Sequence, residues 1–158
     1  MAWTDSKMFA AFAGWALDRS AGGGDLDLDA FKVAIYNATT TPDNTVSLAN
    51  SAYGVGQWVV GNELDDGVEW DAGGEPLVSP SITVTGTDIV WDAVDTVSGG
   101  TSVTVTDANG ALHYDDTLTT PTADPGICYN YFGSGVSVVD GTLTLQYAVA
   151  GIASLSVA

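Results

Sequence analysis

The chain has 158 residues, 46% of them hydrophobic, which suits one compact domain with a core of its own rather than a disordered segment. Only 3 Lys and Arg stand against 20 Asp and Glu, for a formal net charge of −17. Nucleic acids and anionic membranes are bound through cationic groups that displace counterions, so this composition argues against both as partners.

In chain order, the first segment reads as a helix. Thr4 or Asp5 stands where an N-cap belongs, and Met8, Phe12 and Trp15 recur along one face. Phe9, Ala13, Ala16 and Leu17 fill an adjoining face, Arg19 suits the C-terminal end of the dipole, and the run Gly22-Gly23-Gly24 stops the helix. A helix apolar nearly all round must be buried on several sides, either by its own sheet or by a neighbouring subunit. Residues 1–24 are therefore expected to form a helix with a glycine linker, and Trp3, Met8, Phe9, Phe12 and Trp15 are its candidate residues for a contact outside the subunit.

Residues 25–158 read as a β-sandwich. Phe31, Val33 and Ile35 alternate along one strand, and Pro42-Asp43-Asn44 marks a loop. Residues 57–60 read as a strand, and Asp66-Gly67 as a hairpin signal into a second at Val68-Glu69-Trp70. Ile82 and Val84 alternate with Thr, and Ile89 and Trp91 follow after Gly86. Val103 and Val105 lead to Asn109-Gly110, a strong turn signal, which predicts a hairpin into Leu112-His113-Tyr114. Ile127, Tyr129 and Tyr131 share a face. Asp140-Gly141 turns the chain into a long half-buried strand through Leu143, Leu145, Tyr147 and Val149, and Leu155 and Val157 make a last one. Short strands with regular turn signals predict a mostly β, antiparallel, jelly-roll-like sandwich behind an N-terminal helix.

Few residues point to chemistry. Cys128 is the only cysteine, which excludes an intrachain disulfide and a cysteine-built zinc cluster; its apolar flanks suggest a buried thiol. His113 is the only histidine, mid-strand, with no nucleophile-elbow motif to serve. Asp25, Asp27 and Asp29 imitate the start of an EF-hand loop, but Ala30 and Tyr36 stand where that loop needs Gly and Glu, and the alternation places all three acids on one face of an extended segment. Glu63, Asp65, Asp66, Glu69, Asp71 and Glu75 form the better calcium candidate, since calcium takes several oxygen ligands from loops. Trp58, Trp70 and Trp91 could stack on sugars or fill the space between sheets, and a glycan hydrolase would need two facing carboxylates that nothing in the sequence singles out. Lys32 is the one strand lysine placed for a Lys–Asn cross-link. No apolar run spans a bilayer, and Asp5 and Lys7 interrupt the place of a signal peptide, so synthesis in a cytoplasm is expected.

Several segments together resemble a family. Phe31-Lys-Val-Ala-Ile-Tyr-Asn37, Thr41-Pro-Asp-Asn-Thr45 and Tyr53-Gly54 are followed by Glu69-Trp-Asp-Ala-Gly-Gly-Glu-Pro-Leu77 and by the loop from Tyr114 to Pro125. Tyr131-Phe-Gly133, Val139-Asp-Gly-Thr-Leu-Thr-Leu145 and Gly151-Ile152 complete the order. Over residues 26–158 the chain resembles minor capsid and capsid decoration proteins of tailed bacteriophages, especially those of actinobacteria. The resemblance implies a non-catalytic virion protein without a cofactor. It would lie on the outer particle surface, contact the major capsid protein or other virion proteins, and form a homo-oligomer, with a trimer as the expected state. A tail or tail-fibre module that binds host surface glycan is the alternative, with a glycan hydrolase behind it. A negative charge of this size would be repelled by a packaged genome, which favours the shell exterior.

Overall fold

A computed structural model describes residues 3–17 and 24–156. Arg19, most of the glycine run and Val157 lie outside the described residues. The fold is mostly β and antiparallel, with a short N-terminal helix, as the sequence predicts. The elements are β1 (Lys7–Met8), α1 (Ala10–Leu17), β2 (Phe31–Asn37), α2 (Leu48–Ser51), β3 (Glu63–Leu64), β4 (Glu75–Pro76), β5 (Val78–Thr85), β6 (Asp88–Val94), β7 (Thr96–Val97), β8 (Val103–Asp115), β9 (Gly126–Gly141), β10 (Thr144–Leu145) and β11 (Ala153–Ser156). A central sheet runs β1-β9-β8-β2-β3, with β4 also on β2; a smaller sheet runs β11-β6-β5, and β10 pairs β7.

The central sheet is covered on both faces. Register sets Phe31, Val33 and Ile35 beside Asp115, His113 and Ala111, with Cys128 and Asn130 next in line. This face packs against the smaller sheets, where Phe31 meets Trp91 edge-on at 5.3 Å between ring centres. The opposite face carries Tyr36, Leu112 and Tyr129. It meets the N-terminal segment and the 40–60 loop in an aromatic cluster: Trp58 lies 5.0 Å from Tyr36, 5.7 Å from Trp3 and 6.1 Å from Phe9. A strand sealed on both sides is buried along its whole length, which is why every residue from Ala108 to Asp115 is buried.

Three sequence expectations change here. The N-terminal helix begins only at Ala10; Met8 lies on β1 opposite Cys128, because the Phe9 amide donates to the Ile127 carbonyl (3.0 Å) and holds the preceding residues against β9. Asn109-Gly110 makes no turn. β8 continues through it, with Gly110 opposite Tyr36 on one side and Tyr131 on the other. The glycine is there for space: a Cβ would sit 2.3 Å from the Trp3 ring and 2.5 Å from the Asn130 carbonyl oxygen. Around it β8 is bulged, with Asp107 at φ 59°. The long strand expected at 143–149 reduces to Thr144–Leu145, and Val149 stands in solvent.

Residues 57–60 and 68–70 are also not strands. Trp58 and Trp70 are fully buried from irregular backbone, so burial rather than alternation is what placed apolar residues there. Near Asp66-Gly67 the turn does form, with Gly67 at φ 71°.

Candidate functional site

The acidic loop from residue 63 to 75 uses its carboxylates as ties for backbone amides. Asp66 Oδ1 accepts from the amides of Val68, Glu69 and Trp70 at 3.1, 2.8 and 2.9 Å. Those three donors hold the Asp66 carboxyl below its usual range. Glu63 is buried and accepts from the Tyr53 hydroxyl (2.6 Å) and the Gly73 amide (2.8 Å); burial pushes its pKa up against those bonds. Glu69 Oε2 takes the Ser102 amide at 2.6 Å, and Glu75 Oε1 takes the Asp71 amide at 3.1 Å. Asp65 and Asp71 point to solvent. Among the described residues no three acidic, histidine or cysteine side chains converge on one point, so the calcium candidates are not assembled into a ligand set. The reason is that Glu63, Asp66, Glu69 and Glu75 each accept from a backbone amide, while Asp65 and Asp71 face solvent.

The first acid cluster is a turn rather than an extended strip. Asp29 closes it by accepting the Asp25 amide at 2.7 Å, and the Leu28 and Asp29 amides return to the Asp25 carbonyl. Asp29 also lies against Asp115, a carboxyl the sequence reading did not single out. Asp115 is fully buried, and Oδ1 accepts from the Thr117 and Leu118 amides at 2.9 and 3.2 Å. Burial pushes it up to about 6, with Asp29 adding to the rise. Two carboxyls in contact leave no room for a sugar ring and water, which a glycosidase pair must span.

The tryptophans are interior. Trp58 and Trp70 are 0% exposed and Trp91 is 3% exposed, so none offers a platform for a glycan. Lys32 pairs with Asp116 at 3.2 Å and not with an asparagine; Lys7 pairs with Asp5 at 2.9 Å, so both described lysines are already neutralised.

The N-terminal contact residues are likewise turned inward. Trp3, Phe9, Phe12 and Trp15 are buried in the chain's own core, and Met8 is half-buried against it. Of the two readings the sequence left open for this segment, packing on its own sheet is the one realised. Trp3 and Phe9 pack on Trp58 and Tyr129, and Phe12 packs on Trp15.

A cleft of about 400 Å3 opens between the central sheet and residues 143–152. Ile35, His113, Phe132, Leu145, Tyr147 and Ile152 line it. His113 is buried and its Nε2 lies 3.4 Å from the Tyr147 hydroxyl, which in turn is 2.9 Å from Thr96 Oγ1. Desolvation lowers its pKa to about 3, so the ring is neutral at physiological pH. Burial also pushes Cys128 well above the ordinary thiol range, which leaves it inert. Asn130 is committed to the Ile152 carbonyl at 3.2 Å.

The remaining surface feature is the outer sheet β5-β6-β11. Register places Ile82, Val84, Ile89, Trp91, Ala153 and Leu155 on one face. Phe31 covers Trp91, but Ile82 beside it on the edge strand is 41% exposed, and Val84 and Leu155 further along are 67% and 47% exposed. The alternation of Ile82 and Val84 was legible in the sequence. That nothing among the described residues covers them was not.

Comparisons with protein-family models, with curated proteins and with solved structures find no match.

Proposed function

We propose that this chain is a non-catalytic structural protein of a bacteriophage particle, decorating or stabilising the outer capsid surface against the major capsid protein or other virion proteins. The observation that carries the proposal is the outer sheet: it leaves apolar side chains in solvent and, among the described residues, an unpaired strand edge. Exposed apolar strips with no covering element in the same chain mark contact surfaces. The resemblance of residues 26–158 to minor capsid and decoration proteins supports the same reading, and a charge of −17 favours the shell exterior over a lumen packed with genome.

Trp58, Trp70 and Trp91, which could have stacked on glycan in a tail or tail-fibre module, are interior, and this favours the capsid reading. The test is to purify particles from an infected host, count this chain per particle by quantitative mass spectrometry and locate it by gold labelling. Many copies with label over the shell is the expected result. Label confined to the tail tip, or absence from particles, would overturn the proposal.

A further inference from the structure

β5 is the edge of its sheet. β6 occupies one side, and among the described residues no strand pairs with the other. Edge strands are commonly protected by lysine, proline or a bulge. Here Pro80 and a bulge at Ser79 (φ 52°) occupy only the start. From Ser81 to Thr85 the strand keeps regular register with β6 and is exposed throughout. The run Leu77–Gly86 has no charged residue, in a chain of net charge −17.

We propose that β5 pairs with β5 of a second copy of this chain, antiparallel about a two-fold axis at Thr83, so that two three-stranded sheets become one of six strands. This names the partner of the outer sheet and rests on reading that sheet as a contact surface. The segment is self-complementary in this register: Ser81 faces Thr85, Ile82 faces Val84 and Thr83 faces itself. Ile82 and Val84 of both copies then lie on one face, continuous with Ile89 and Leu155. A two-fold contact of this kind buries the same patch twice.

The uncharged edge admits a second copy, and the sign of the salt dependence separates that copy from an oppositely charged protein. The carboxylates nearest the edge are Asp88 and Asp92, one strand inward, opposite Thr85 and Ser81. After pairing, the two β6 strands stand three spacings apart, about 14 Å. That exceeds the screening length of about 8 Å at physiological ionic strength, but not the roughly 30 Å at 0.01 M. Two copies therefore meet across an uncharged strip with their mutual repulsion screened, and the association must strengthen as salt is raised. A basic partner would show the opposite dependence. The pairing also gives a dimer rather than the trimer expected from the resemblance.

The test uses the full chain. Sedimentation equilibrium should show a monomer–dimer equilibrium that shifts toward dimer between 0.01 and 0.5 M NaCl (concentrations chosen from the screening lengths above). Thr83→Glu sets like charges face to face on the axis and should weaken association at least about tenfold, with unchanged circular dichroism. Thr83→Cys should cross-link to a covalent dimer under mild oxidation, whereas Val68→Cys, on an exposed loop away from β5, should not; the native Cys128 is buried and does not compete. A wild-type chain that stays monomeric in high salt overturns the proposal. So does association that weakens with salt, survives Thr83→Glu, or leaves Thr83→Cys no more cross-linked than Val68→Cys. A dimer by these measures with the chain absent from particles would reject the virion reading and keep the pairing; a monomer present on particles would do the reverse.

Discussion

Replacing Gly110 with alanine separates two accounts of the same dipeptide. If Asn109-Gly110 made a hairpin turn, Gly110 would sit at positive φ, and alanine would cost about 1 kcal/mol through backbone strain alone. In the structure Gly110 is mid-strand and is not among the glycines with positive φ, so its backbone tolerates alanine. The cost comes instead from contact. The new Cβ would lie 2.3 and 2.5 Å from two Trp3 ring carbons and 2.5 Å from the Asn130 carbonyl oxygen. Neither neighbour retreats easily, since Trp3 is held by an indole N–H donated to the Asn37 carbonyl (3.1 Å) and by contacts with Trp58 and Tyr129. Overpacking of this kind costs about 1–3 kcal/mol, and a backbone oxygen among the clashing atoms places Gly110→Ala at the upper end. Urea unfolding of wild type, Gly110→Ala, Trp3→Ala and the double variant measures it. Because the ring supplies two of the three close contacts, the double variant should be more stable than the sum of the singles by at least about 1 kcal/mol. Additive single effects, or a Gly110→Ala cost below about 0.5 kcal/mol, would refute the placement of Trp3 over a mid-strand glycine.

His113 should make the protein acid-labile. Its folded pKa, near 3, lies below the unfolded value, so its contribution is complete above about pH 6.5 and is lost as the pH falls, by about 1.4 kcal/mol per unit down to the folded value. Urea titrations from pH 7 to 4.5 should make the stability difference between wild type and His113→Leu change with that slope, since the other titrating groups are common to both; parallel curves for the two would contradict a neutral buried ring. Asp115 works in the opposite sense. A folded pKa raised to about 6 means the protonated acid is favoured in the fold, so stability declines as the pH rises from about 4 to 6. Asp115→Asn keeps the acceptor for Thr117 and Leu118 and should match wild type at pH 4 while exceeding it by roughly 1–2 kcal/mol at pH 8. Equal stability at both pH values would show that the carboxyl is not strained. Deleting residues 1–20, which would leave the expected sandwich of residues 25–158 whole, should abolish folding. It removes Trp3, Phe9, Phe12 and Trp15, at about 3–5 kcal/mol for each large aromatic, against a typical total of 5–15. A cooperative thermal transition in the truncated chain would restore the picture of a separate N-terminal arm.

Local chemistry was legible in the residues themselves. The alternation of Phe31, Val33 and Ile35 gives β2, and Ile82, Val84, Ile89 and Trp91 around Gly86 give the β5–β6 hairpin, because strand periodicity and turn preference depend on near neighbours alone. The mostly β class and the early helix follow from the same short-range signals. Asn109-Gly110, Trp58 and Trp70 were misread because their roles depend on partners far along the chain: Trp3 above Gly110, and Tyr36 and Tyr129 around Trp58. The acidic loop looked like a metal site because the sequence counts carboxylates but does not say where each one turns; Asp66 and Glu63 turn toward amides. Asp115 and His113 became unusual only when the central sheet was covered on both faces and water was excluded from them. The open edge of β5 is likewise tertiary, since only the completed strand order reveals which backbone is left without a neighbour.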